Sequence, residues 1–395
     1  MPRNTLPATA PVPPQEPRGG ALPQDPTAAP ASTAGWASFA GRVATGVAEC
    51  VDVLAEPERL ATGTWFIVAD FEGRARAWRF TEVLPAPAAG ETVGGRPASD
   101  GGWHGPAAGS WRSSLDRAGY EAAVARVREH VRDGDVYQAN ICRVLSAPLP
   151  ARGGEGGGEP DAQALTARLA AGNPAPHAAA VHVPASSGVE PVWVVSASPE
   201  LYLSVDPGPD GPVAASGPIK GTARTPDGLT DKDRAENIMI TDLVRNDLQR
   251  ACRPGTVEVT SLLALERHPG LVHLVSRVQG VLREDITGPD LWRHLFEATF
   301  PPGSVSGAPK SSALRIIGEL EPVPRGPYCG AVGWVDGDAG TASLAVGIRT
   351  FWWTPDGGGV LRFGTGAGIT WGSDPAAEWH ETELKAERLI GLASS

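Results

Sequence analysis

Strand-like and helix-like patterns are interleaved along this chain without a strict β-α-β-α rhythm, which favours α+β layering over a doubly wound parallel sheet. Extended patterns run through Trp65-Phe66-Ile67-Val68-Ala69-Asp70, through Arg76-Ala77-Trp78-Arg79-Phe80, and over residues 136–145, 192–203, 331–335, 344–348 and 360–363. In the second of these, the period of two puts Arg76, Trp78 and Phe80 on one face. From Leu115 onward Tyr120, Val124, Val127 and Val131 recur at helical spacing, and Gly134-Asp135 closes that helix. Further helices are expected over residues 231–249, 289–299, 308–319 and 375–391, and there is no internal repeat.

A length of 395 residues permits two or three average domains or one large unit. Residues 1–34 are rich in Pro, Ala, Gly and Thr and poor in large apolar side chains, so they cannot offset the entropy of ordering and read as a disordered tail. Residues 35–110 read as a shortened N-terminal region packed on a catalytic domain of residues 111–395, with a mobile connection from Pro85 to Gly109 and a glycine-rich excursion at 151–160. A formal charge of −11 argues against a phosphate-backbone partner. Cys50, Cys142, Cys252 and Cys329 are dispersed without a C-x-x-C pair, which suits free thiols in a reducing compartment. No apolar run approaches the roughly 20 residues that span a bilayer, and the amino terminus lacks a secretory pattern, so a cytoplasmic protein with no membrane or nucleic-acid partner is expected.

Pro218-Ile219-Lys220-Gly221-Thr222 places one ammonium where an apolar run stops at a glycine turn. A lysine held there can lose hydration and become a nucleophilic amine, whereas the bland reading is a surface lysine beside a loop. Downstream, Asp233 and Glu236 are three apart on an expected helix and share a face. Glu378 and Glu381 repeat that arrangement just after Ser373-Asp374-Pro375, a helix start with proline at its first position. Two such faces brought together suit a hard cation such as Mg²⁺, although acidic residues near a helix start are also favoured by the macrodipole alone. Between them, the turn from Phe300 to Lys310 opens a helix whose backbone N–H groups can receive an anion. It is no Walker A loop, because Ala308-Pro309 separates glycine from lysine. Arg349 at a strand end and a donor-rich turn at Gly366-Ala367-Gly368 suit a carboxylate.

Taken together, these segments closely resemble the chorismate-utilising enzymes over residues 115–390. The matching runs are Gly134-Asp135-Val136-Tyr137-Gln138, Ser198-Pro199-Glu200-Leu201, Asp233 through Asn246-Asp247, His273-Leu274-Val275-Ser276-Arg277, Ser306-Gly307-Ala308-Pro309-Lys310, Arg325 through Ala331, and Gly366 through Thr382. The resemblance implies an α+β fold, a large sandwich of two curved, mainly antiparallel sheets with helices outside, binding chorismate and Mg²⁺. It implies Glu236 and Glu381 as principal Mg²⁺ ligands, with Asp233 and Glu378 approaching the ion directly or through water. Gly221, Thr222, Ser304, Lys310, Tyr328, Arg349, Gly366, Ala367, Gly368 and Lys385 fall at substrate-contacting positions. His273 falls at a catalytic position shared by aminating members, and Glu200 matches the general acid that protonates the departing C4 hydroxyl.

Within the family, Lys220 before Gly221-Thr222 is similar to the aminodeoxychorismate synthases; anthranilate, isochorismate and salicylate synthases commonly have alanine there. That likeness implies attack of Lys220 on ring C2 and resolution of the adduct by ammonia at C4. Gln138 stands where water-using members place a general-base lysine, so water activation is not expected. The chain has no Gly-x-Cys-x-Gly glutaminase nucleophile, and ammonia is therefore expected from a glutamine amidotransferase partner. The rival readings are anthranilate synthase component I and a non-catalytic chorismate-binding subunit. Pro302, Ser343 and Gly347 depart from the family's usual residues, and the first 110 residues match poorly.

Overall fold

The computed structural model describes residues 35–86, 102–151, 158–268 and 271–395. The expected tail, most of the 85–109 connection and the glycine run at 152–157 lie outside the described residues. Among the described residues all strand pairings are antiparallel, and they join into one continuous ladder. It starts with Glu258–His268 against Leu271–Val281, whose other side takes Val213–Gly217 and Ile219–Ala223. It continues through Leu201–Asp206, Thr341–Val346, Ala331–Asp336, Thr64–Ala69, Ala75–Pro85 and Arg42–Asp52. Trp36–Phe39, His177–Val183, Val192–Ser198, Thr350–Thr354, Val360–Ile369 and Gln138–Pro148 complete it, and the last is edged by Arg112–Ser113 and Gly307–Ala308. The α+β class expected from the sequence is the fold that forms.

Helices cover the faces of this ladder. Arg117–Asp133 is capped by the Asp116 carboxylate on the Gly119 amide and closed by Gly134 at φ 84°. Asp231–Gln249 begins with a capping box between Thr230 and Asp233, and Pro375–Ala393 begins with Asp374 on the Ala377 amide and proline at N1. The largest apolar cluster joins Phe66, Trp78 and Leu344 of the ladder to Ile240 and Phe296 of the helices Asp231–Gln249 and Leu291–Thr299. A second cluster holds Trp193, Phe351 and Phe363 under Leu165 and Leu389, the former on a helix, Ala162–Gly172, that the periodicity did not single out.

Two expectations are corrected here. The extended run over 192–203 is broken at Pro199-Glu200 into two strands, because proline cannot donate to a ladder. Within the connection expected to be mobile, the described residues just before Gly109 are packed in place: Trp103 is buried and its Nε1 donates to the Ala393 carbonyl at 2.9 Å. Among the described residues no helix is long and apolar enough to cross a membrane.

Candidate active site

The break at Pro199 positions the acid. Glu200 is stitched to the neighbouring strand by Val346 N–H on its carbonyl at 3.0 Å, and Ser198 Oγ donates to the Val346 carbonyl at 2.7 Å. Register shifts near Leu201, between Ala215 and Gly217, and between Ile219 and Thr222 bend the ladder around this point. The result is a convergence on Ser304. Lys220 Nζ donates to the Ser304 carbonyl at 2.9 Å, and the Ser304 hydroxyl and the Ile219 amide lie beside the Glu200 carboxylate and favour its charged form. Glu200 is only 4% exposed, which excludes a solvated strand-end acid. Burial pushes its carboxyl up to about 7, against the pull of Ser304, the Lys220 ammonium and the Ile219 amide. Burial also lowers Lys220, opposed by Glu236 and Glu200. A carboxyl that keeps its proton thus faces an ammonium that sheds one more readily than usual.

Gly221 lets the Lys220 strand approach the start of Asp231–Gln249. Its φ is +86°, and a Cβ there would lie 2.8 Å from Asp233 Cβ. That helix start meets the start of Pro375–Ala393 through Lys232, whose ammonium lies 3.7 Å from Glu236 Oε1 and 3.4 Å from Glu378 Oε1. Glu381 pairs instead with Lys385 at 2.6 Å. Burial and the charges of Glu378 and Glu381 push the Glu236 carboxyl up, although Lys220 and Lys232 oppose them. For Glu381, burial acts upward but the lysines, Lys385 foremost, outweigh it and hold the carboxyl below its ordinary value.

Three carboxylates and three ammoniums therefore share one site. Glu236 Oε1 is buried with no hydrogen-bond donor among the described residues, an acceptor that suits a hard cation. Among the described residues, no three such donors converge into a ready cage. Mg²⁺ fits this donor set nonetheless, since it takes one or two carboxylates plus water and an anionic substrate. Asp233 differs from the other three expected ligands, because its Oδ2 accepts from Thr230 N at 2.8 Å and Thr230 Oγ1 at 2.7 Å. It is engaged in closing the helix cap.

Residues 81–391 match the family described as chorismate binding enzyme. The chain belongs to that family. The anthranilate synthase component 1 of Streptomyces coelicolor is 38% identical over 333 residues, covering 80% of this chain and 59% of that one. The anthranilate synthase component 1 of Haloferax volcanii is 38% identical over 295 residues, covering 71% and 52%. The chain thus spans a little over half the length of these relatives. Among solved structures, anthranilate synthase component I from Streptococcus pneumoniae superposes with a TM-score of 0.68 at 21% identity, covering 95% of each chain. The menaquinone-specific isochorismate synthase of Escherichia coli gives 0.69 at 18%, covering 91% of this chain and 88% of that one. These likenesses support the fold. These two relatives carry the name of the rival reading, anthranilate synthase, and not that of aminodeoxychorismate synthase.

The other positions expected from the chorismate-binding family are distributed unevenly. Arg349 sits at φ 53° and is half-buried; burial lowers its pKa, and no ion pair engages its guanidinium among the described residues. His273 is buried and stands opposite Thr222 in the ladder. Tyr328 is buried against Gly364, where a Cβ would come within 2.0 Å of its ring.

Gly366-Ala367-Gly368 is not a turn but part of the strand Val360–Ile369, paired with Asn140, Ile141 and Cys142. Its glycines answer to close packing: a Cβ at Gly366 would lie 2.5 Å from Cys142 Sγ, and one at Gly368 2.1 Å from Gln138 Nε2. Lys385 reaches this strand, donating to the Gly366 carbonyl at 3.0 Å. Lys310 is bound by Asp247 Oδ2 at 2.7 Å and the Thr299 carbonyl at 2.9 Å, so it braces the turn before its helix.

Arg325, which had only a motif to recommend it, is 1% exposed and ties the Val305 and Asn140 carbonyls together at 3.0 and 2.9 Å. Asn237 was missed. Its Nδ2 donates to the Leu274 carbonyl and its Oδ1 accepts from Ser276, locking the helix that bears Glu236 to the strand that bears His273.

Proposed function

We propose that this protein aminates chorismate at C4 with ammonia to give 4-amino-4-deoxychorismate, acting as component I of an aminodeoxychorismate synthase. The observation that carries the reading is the half-buried Lys220 set against the buried Ser304 and Glu200, an amine with lowered basicity beside an acid held near neutral pH. Lys220, as the free amine, would attack ring C2 with both ring double bonds shifting, C1=C2 to C1=C6 and C5=C6 to C4=C5, which pushes the electron pair onto the C4 oxygen. The C4 hydroxyl would leave as water, taking its proton from Glu200. Ammonia would then add at C4 with the reverse shift, expelling the Lys220 amine from C2 and taking the place of the lost hydroxyl.

Arg349 supplies a cationic partner for one substrate carboxylate. Glu236, Glu378 and Glu381 would hold Mg²⁺, whose chemistry here is to neutralise and orient the other carboxylate. The ammonia source would be a glutamine amidotransferase subunit.

A second reading is favoured by the names of the relatives: anthranilate synthase component I, in which amination is followed by loss of pyruvate. One incubation separates the two. Chorismate, Mg²⁺ and ammonium are supplied to the protein alone, and products are identified by mass spectrometry with pyruvate measured in parallel. A non-aromatic amine that retains the enolpyruvyl group is the expected outcome. Fluorescent anthranilate with equimolar pyruvate refutes the C4 reading. Chorismate binding without any product under saturating ammonium leaves only a binding subunit.

A further inference from the structure

Lys232 has no part in the chemistry above, yet it links the two helix starts that carry the carboxylates. Its ammonium approaches Glu378 Oε1 at 3.4 Å and Glu236 Oε1 at 3.7 Å. The three partners differ in exposure: the Lys232 side chain is 51% exposed, whereas Glu236 is 17% and Glu378 4% exposed. Two carboxylates that cannot leave the interior thus depend on a cation that can.

The other two ammoniums of the site are anchored. Lys220 is bound to the Ser304 carbonyl, and Lys385 to both Glu381 and the Gly366 carbonyl. Among the described residues Lys232 touches carboxylates only, on a flexible stem that starts in the first turn of its helix. Its two contacts are to oxygens that a divalent cation would need, and one of them, Glu236 Oε1, has no hydrogen-bond donor among the described residues. An ammonium and a divalent cation cannot share that gap without strong like-charge repulsion.

We propose that Lys232 is a built-in counter-ion: it occupies the gap between Glu236 and Glu378 while no divalent cation is bound and swings into solvent when one enters. It therefore stabilises the metal-free protein and weakens cation binding at the same time. The inference rests on reading these carboxylates as the Mg²⁺ site.

The two effects have opposite signs, which distinguishes this role from a merely structural one. Mg²⁺ alone is titrated into the metal-free protein by calorimetry, and thermal unfolding is followed in EDTA and in Mg²⁺, for the wild type, Lys232→Met and Lys232→Arg. Lys232→Met is expected to bind Mg²⁺ roughly three- to tenfold more tightly, the worth of one or two partly exposed ion pairs. It should also melt lower in EDTA, with the deficit shrinking in saturating Mg²⁺. Lys232→Arg, which keeps the charge, should track the wild type. Equal or weaker Mg²⁺ binding by Lys232→Met overturns the proposal, as does an arginine variant that binds as tightly as the methionine one. If Lys232→Met folds only with Mg²⁺ the proposal is supported, and if it stays unfolded with Mg²⁺ the proposal fails. Absence of heat and of any melting shift in all three proteins removes the metal reading itself, a distinct result.

Discussion

Replacing Glu200 with glutamine should make the protein more stable at alkaline pH while stopping its chemistry. The folded carboxyl titrates at about 7, against an ordinary value of 4.5. Between those values the unfolded chain has released its proton and the folded one still binds it, so stability falls as pH rises through the window. The stabilising contribution is complete below about 4.5 and lost above about 7. Integrated, the loss is about 3 kcal/mol, at 1.36 kcal/mol per pKa unit, and the near-complete burial of Glu200 means that solvent screening does not erase it.

A glutamine side chain does not titrate. The Glu200→Gln variant keeps a carbonyl oxygen for one donor but sets an amide against the other of Ser304 and Ile219, a pH-independent penalty of about 1 kcal/mol. The informative quantity is therefore the difference between the two unfolding free energies as a function of pH. Urea titrations at matched ionic strength from pH 5 to 8 should show the variant gaining on the wild type by about 2 to 3 kcal/mol across the range and levelling above pH 7. In the wild type, kcat/KM should fall on the alkaline side of the same value as the acid ionises. Parallel stability curves for the two proteins would show that Glu200 titrates normally, and the general-acid role would lose its physical basis.

Lys220→Ala should abolish or sharply slow amination while leaving Mg²⁺-dependent chorismate binding nearly intact; unchanged turnover in a product assay would contradict a nucleophilic amine. Glu236→Gln and Glu381→Gln should instead weaken Mg²⁺ and chorismate together in calorimetry, because each removes an oxygen from a shared site. Asp233→Asn should cost about 1 kcal/mol of stability by opening the capping box with Thr230, with a smaller effect on Mg²⁺ affinity than Glu236→Gln; the reverse ranking would make Asp233 a ligand first and a cap second.

What could be read from the sequence follows the range of the interactions involved. The helix start at Asp374 was legible because a cap is settled within four residues, and so was the left-handed stop at Gly134. The same local logic carried information that went unused: Thr230-Asp231-Lys232-Asp233 is itself a capping-box pattern, and it gives Asp233 a task that a search for cation ligands overlooks. Gly366 to Gly368 was misread for a related reason. Glycine spacing alone cannot separate a turn from a strand whose side chains must vanish to admit Cys142 and Gln138 from the neighbouring strand.

The chemistry of the site depends on contacts of the longest range. Lys232 and Glu378 are 146 positions apart, and Lys220 reaches Ser304 across 84. A family likeness can point to Glu200 and Lys220 as residues, but the property that makes them a pair is shared desolvation around Ser304, and that exists only once the Pro199 break and the bent ladder have brought three distant segments together. Alanine at position 220 would leave Glu200 buried without an amine to answer it, so the difference between adding nitrogen through a covalent adduct and adding it directly would rest on one side chain in an otherwise shared enclosure.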